Sequence, residues 1–214
     1  MRFTCPLDWL AIADHSDGMG FFPDLLAGKP HILAEPLGKD WYERIYAGDG
    51  AAVAMELIGL FSQDQLPEAL IYTPDSAPYK STWQRSIEAA EAYNDPGRFT
   101  AVIGYEWTSL IAGNNMHRVV LYRDGGAKAS QMVPFSTTPP LGSPNPRDLW
   151  QWLTTYEQRT GGDVLAIAHN GNLSNGIMFP LDAQYDGRTL DDAYVTERMN
   201  WEPLYEITQI KGDG

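Results

Sequence analysis

The chain has 214 residues, 43% of them hydrophobic, enough to bury the core of one sizeable domain and too many for a disordered tail. Fifteen Lys and Arg stand against 28 Asp and Glu, a formal net charge of −13 with no basic patch, which argues against a nucleic-acid partner. The longest apolar runs, such as residues 57–61, fall far short of the roughly 18 residues of a membrane span, and the single cysteine, Cys5, excludes an internal disulfide and a zinc ribbon.

Taken in chain order, residues 8–14 form an apolar run that turns abruptly polar at Asp14-His-Ser-Asp-Gly18, the pattern of a buried strand running into a loop. No charged-then-apolar leader precedes it. Residues 40–61 are helix-compatible and split near Gly48 and Gly50. Residues 79–93 predict a helix stopped by Asn94-Asp-Pro-Gly97, and residues 98–105 a strand. Glu106 follows, then a Gly-Asn-Asn loop and a second strand over 117–122. The Pro-, Ser- and Thr-rich residues 134–146 read as an irregular connection. Asn145 and Pro146 are placed to start a helix with Trp150, Leu153 and Tyr156 on its apolar stripe, ended by Gly161-Gly162. Residues 163–169 have the near-continuous apolar character of a strand covered on both faces, and 204–210 are a weaker strand candidate. Helices alternating with apolar strands predict an α/β fold with much parallel sheet, open or an incomplete barrel, in which chemistry sits at the carboxyl ends of the strands.

Three of the four histidines stand where an apolar strand meets a polar loop: His15, His117 and His169. Glu106 stands at a fourth such junction. Imidazole nitrogens with a carboxylate suit zinc, manganese or iron, and such ligands come from different strands. Any one of these histidines alone is more often a hydrogen-bonded structural residue than a ligand; the argument for metal is that all four residues share this placement. Asp14 has the position either to orient an imidazole from behind or to cap the strand end. Asp17, in Ser-Asp-Gly, is read as a turn residue. The polar, glycine-rich stretch from His169 to Gly176, with Asn170, suits an anionic ligand or a plain surface loop. Arg118 is a candidate to neutralise an anion, or points away, because adjacent strand residues face opposite sides. His31 has no comparable context.

At these residues the chain resembles the polymerase-and-histidinol-phosphatase superfamily of metal-dependent hydrolases, through Ala11-Ile-Ala-Asp-His15. It is more closely similar to the branch called domain of unknown function 3604. That likeness rests on Leu10-Ala-Ile-Ala-Asp-His15, Gly104-Tyr-Glu-Trp-Thr108, Asn115-Met-His-Arg118, Ile167-Ala-His-Asn-Gly-Asn172 with Ser174 and Gly176, and Tyr205-Glu-Ile. The resemblance implies a distorted β/α barrel holding two or three divalent metal ions, with His15, Glu106, His117 and His169 as ligands and Glu206 at a position that is polar in the family. Two departures accompany it. No His-x-His pair precedes His15, and no late Asp-x-His motif precedes Lys211-Gly-Asp-Gly214, so the expectation is a barrel incomplete at both ends, a piece of a longer protein.

The function expected is hydrolysis of a small anionic molecule, first of all a phosphoester, by a metal-activated water. Asp14 would orient ligands while Arg118 or Asn170 steadies developing negative charge. The alternative is a non-catalytic binding or structural module derived from such a barrel.

Overall fold

The first apolar run is β1 (Trp9–His15), and the structure, a computed structural model, describes residues 7–213, so that Cys5 and the disulfide argument attached to it lie outside the described residues. Four short helices follow: α1 (Phe21–Leu26), α2 (Pro30–Ala34), α3 (Pro36–Tyr46) and α4 (Gly50–Ser62). With Leu70 and Tyr72 from the segment that follows, they build a core of their own from Phe21, Leu25, Ile32, Trp41 and Val53. Gly38 permits the close approach of α2 and α3, because a Cβ there would meet the Ile32 carbonyl oxygen at 2.5 Å. The long helix α5 (Ala77–Tyr93) is capped by Ser76, whose hydroxyl accepts from the Tyr79 N–H.

The chain then lays down β2 (Thr100–Trp107), the small hairpin β3 (Leu110–Ile111) and β4 (Asn114–Asn115), and β5 (Arg118–Tyr122). A short α6 (Gly126–Ala129) and the irregular Pro-rich connection lead to α7 (Pro146–Thr160). Its boundaries are those the capping residues dictate: Asn145 accepts from the Arg147 N–H at 3.0 Å, and Gly161 closes the helix at φ 63°. β6 (Val164–Ala168), α8 (Asp192–Trp201), β7 (Leu204–Tyr205) and the hairpin β8 (Thr208–Gln209) and β9 (Gly212–Asp213) complete the chain.

The main sheet has the order β1-β2-β5-β6-β7. β1 runs parallel to β2 and β6 parallel to β7, whereas β5 is antiparallel to both of its neighbours. One face carries Ile103, Tyr105, Trp107, Val120, Tyr122, Val164 and Ala166 into a core shared with α5, α7 and α8. Removing a buried aromatic here, as in Trp107→Ala, costs about 3–5 kcal/mol. The opposite face, with Val102, Val119, Leu121, Leu165 and Ile167, is half-buried.

Two expectations are corrected. The described residues form an open five-stranded mixed sheet with two small hairpins and no closed barrel, so the distorted β/α barrel does not describe this chain. The reason is local. β5 returns from β2 through a short hairpin-bearing loop, which forces antiparallel pairing where a barrel needs a helical crossover. Nor is β6 sealed on both faces: Val164, Ala166 and Ala168 are buried, while Leu165 and Ile167 between them are half-buried.

The topology nevertheless concentrates polar residues. Reversing β5 brings its amino end to the same edge as the carboxyl ends of β1, β2, β6 and β7, so His117, which precedes a strand, joins His15, Glu106 and His169, which finish or follow theirs.

Candidate metal centre

The register fixes which side chains meet. His15 is paired with Glu106 across β1 and β2, so both project from one face. Trp107 is paired with Arg118, which puts Glu106 and His117, each one residue away, on that same face. The His169 N–H donates to the His117 carbonyl at 3.3 Å, extending the β5–β6 ladder by one step and bringing the third ring alongside.

Glu106 is the hub. His117 Nδ1 and His169 Nε2 each lie 2.8 Å from its Oε1, and His15 Nδ1 lies 2.9 Å from its Oε2. His15 Nδ1 is also 2.7 Å from the Thr108 hydroxyl, which in turn donates to the Glu106 carbonyl at 3.1 Å. The ring centroids of His117 and His169 are 5.7 Å apart, and those of His15 and His117 are 6.3 Å apart. His117 is buried, Glu106 and His169 are nearly so, and the His15 side chain is 61% exposed at the rim.

The electrostatics suit a cation. Burial by itself would push the Glu106 carboxyl up, but the bonds from His117, His15 and His169 outweigh it and hold it well below the usual carboxylate range. Burial pushes the His117 imidazole down, against the pull of Glu106, so this ring keeps a free lone pair at neutral pH. The hydrogen bond to Glu106 raises the exposed His15 instead.

Ligand atoms of Glu106, His117 and His169 all lie within 4.8 Å of one another. A divalent ion bonds nitrogen and oxygen ligands at about 2 Å, so its donors lie within roughly 4 Å of one another; the 2.8 Å separations of His117 Nδ1 and His169 Nε2 from Glu106 Oε1 meet that limit, and the donor types suit a metal. The outer nitrogens, His117 Nε2 and His169 Nδ1, are buried without a hydrogen-bond partner. With no cation between them, two imidazoles would both have to present N–H to the same carboxylate oxygen.

The other residues singled out from sequence are placed as follows. His15 adjoins the triad but contributes no atom to the group within 4.8 Å. Asp14 is exposed and paired with Tyr105, so strand alternation turns it away from the face that carries Glu106. Arg118 is fully buried on the opposite, core face, where Nε donates to Glu202 Oε1 at 2.9 Å and Nη1 to the Met116 carbonyl. Asn170 sits in the left-handed region at φ 62°, its N–H donating to Glu206 Oε2 at 2.8 Å while Gln209 bonds its side-chain oxygen. Glu206 thus tethers the loop after β6 to the end of β7. The donors of the following loop are also used internally, Ser174 to the Gly171 carbonyl and Asn172 to the Lys211 carbonyl. Asp17 does sit in a turn, and its carboxylate also accepts from the Thr137 N–H and hydroxyl, both at 2.8 Å, fastening the Pro-rich connection beside the site.

Two features escape a sequence reading. Thr108 lies in the Tyr-Glu-Trp-Thr stretch, yet nothing about a lone threonine signals its bond to His15. The second is a cavity of about 600 Å³ that opens from His15, His117 and Thr108 toward α1 and α4. Its signal is α4 itself, whose sequence Gly-Ala-Ala-Val-Ala-Met-Glu-Leu-Ile-Gly-Leu-Phe-Ser is apolar almost all round, as helices are when something covers every side.

The family model described as "Protein of unknown function (DUF3604)" matches residues 1–214, and the chain belongs to that family. Neither the curated proteins nor the solved structures contain a match.

Proposed function

We propose that this chain is a metal-dependent hydrolase of the polymerase-and-histidinol-phosphatase type, acting on a small anionic substrate, most directly a phosphoester. The observation that carries the reading is the convergence of Glu106, His117 and His169, from three different strands, on one point at the strand-end edge of the sheet. A structural histidine needs one hydrogen-bond partner, whereas here three imidazoles crowd one carboxylate.

In this reading Glu106, His117 and His169 hold the metal, and the nitrogen-rich donor set with one carboxylate favours zinc, manganese or iron. Such an ion supplies an acidified water at neutral pH and a Lewis acid for the substrate oxygen. Glu106 stays ionised, offsetting part of the cation's charge inside a nearly closed site. The exposed His15 forms the rim with the buried Thr108 beneath it, where the ring and the hydroxyl orient the substrate's oxygens. Asp17 and Glu206 keep the two neighbouring loops in place. The role of anion stabiliser does not go to Arg118, whose guanidinium is committed to Glu202 on the other face.

The test is hydrolysis of bis(4-nitrophenyl) phosphate by the zinc- or manganese-loaded chain. The proposal expects turnover that a chelator abolishes, that added metal restores and that Glu106→Gln lowers at least about a hundredfold, the size of effect typical of losing a group that acts on the transition state. Turnover indifferent to the chelator and to Glu106→Gln would overturn it.

A further inference from the structure

The cavity beside the cluster has an uneven chemistry. One end is polar and belongs to the site, with His15, His117 and Thr108 on its wall. The rest is mostly apolar, lined among others by Phe22, Ala54, Leu57, Ile58, Phe61 and Ile71, with Asp64 beyond the end of α4. At about 600 Å³ it is of the size that encloses a drug-sized molecule.

α4 supports the same reading from outside the cavity. Of its thirteen residues Val53 is the one that is buried, although the helix is almost wholly apolar; Ile58 is 49% exposed and Leu57, Leu60 and Phe61 are half-buried. An apolar helix left this open next to a cluster of metal-ligating side chains is a wall awaiting an apolar ligand. Phosphate or a small sugar phosphate would leave this surface wet, and an anionic body would meet apolar side chains and the Asp64 carboxylate there.

We infer that this cavity receives the apolar body of the substrate, so that the chain acts on an amphipathic molecule: an anionic or polar head at the His15–His117 end, and an alkyl or aryl portion against α1 and α4. The inference rests on the hydrolase reading for the identity of the head, while the tail site stands on the cavity itself. A buried methylene is worth about fourfold in affinity, so an eight-carbon chain is favoured over a single methyl by a wide margin even when half of it is enclosed.

The experiment compares n-octylphosphonate with methylphosphonate on the zinc-loaded chain by calorimetry. Octylphosphonate is expected to bind at least about 50-fold more tightly, a preference that Ile58→Glu and, separately, Ala54→Trp reduce to below about fivefold. Ile58 is half-exposed, so its substitution spares the fold, and the bulk added at Ala54 fills the same space by another route. After chelation, uncharged 1-octanol should still bind, about fivefold or more weakly in Ile58→Glu. Equal affinity for the two phosphonates, or a preference that survives both substitutions, overturns the inference. Tail preference together with octanol binding, but no effect of zinc on either phosphonate, supports the cavity and sinks the metal reading. Zinc-dependent binding of both phosphonates without tail preference does the reverse.

Discussion

Two glutamates on opposite faces of the same sheet are each surrounded by three nitrogen-bearing side chains. Glu202 takes Arg118 Nε and Trp150 Nε1 at 2.9 Å and lies 3.0 Å from Arg198 Nη2; Glu106 takes His15, His117 and His169 at 2.8–2.9 Å. His117 and Arg118 are neighbours in sequence, and strand alternation alone sends them to different clusters. The guanidinium and indole groups around Glu202 are donors with no acceptor capacity, so that cluster balances its carboxylate by direct pairing, although Glu202 Oε2, Arg118 Nη2 and Arg198 Nη2 make no hydrogen bond. An imidazole is either donor or lone-pair acceptor, so under the proposed reading two of the three around Glu106, His117 and His169, would complete their bonding by sharing a cation. Burial acts on both carboxyls in the upward direction and is overcome in both, at Glu202 by the charges of Arg118 and Arg198 and at Glu106 by imidazole hydrogen bonds. Geometry that looks alike thus divides into a structural ion pair and a candidate ligand set, according to the proton chemistry of the nitrogen.

The sharpest way to break that comparison is to remove one partner from each side. Arg118→Met leaves Glu202 buried with half its charge compensation, and the expected loss is about 3–5 kcal/mol in denaturant unfolding, with metal retained by the molecules that remain folded. His169→Ala on the other face should weaken zinc binding a hundredfold or more, about 2.7 kcal/mol, and leave the unfolding free energy of the chelated chain within about 1 kcal/mol of the parent, since His169 stands at a strand end outside the apolar core clusters. His15→Ala, which removes a rim residue outside the triad, should cost about tenfold in zinc affinity, the effect of an outer-shell partner. The smallest difference is in acid. A carboxyl whose folded pKa is depressed adds stability above its unfolded value and loses it as pH falls through the folded one. The Glu202 contribution is therefore full at neutral pH and is lost below about pH 4, where each such group tilts stability by at most about 1.4 kcal/mol per pH unit. Glu202→Gln should flatten that acid limb; an unchanged limb would mean that the ion pair does not govern it.

The strand-end residues are legible in sequence because each apolar run begins or stops at a ligand-capable side chain. The direction of β5 is not: Arg-Val-Val-Leu-Tyr has the same alternation whichever way it runs, and only pairing with β2 and β6 sets it. The same limit applies to Arg118. Alternation says that it and His117 part company, but which face meets α7 and α8 is decided by the tertiary core. α8 escapes detection because its buried residues, Tyr194 and Trp201, are seven apart while Val195 and Met199 are exposed, so no continuous stripe marks it. By contrast α7 is readable to its last residue, since Asn145, Pro146 and Gly161 act through local backbone chemistry that needs no partner. Barrel closure is a property of the whole sheet, and a sequence of strands and helices alone does not distinguish it from the open mixed sheet found here.

The central claim, that Glu106, His117 and His169 form a metal site rather than a structural hydrogen-bond cluster, is tested most directly by the zinc and manganese content of the purified chain after equilibrium dialysis, beside Glu106→Gln and His169→Ala. The account predicts near-stoichiometric metal in the parent and a small fraction of it in both folded variants. Metal absent from the parent, or equal in all three, would contradict it.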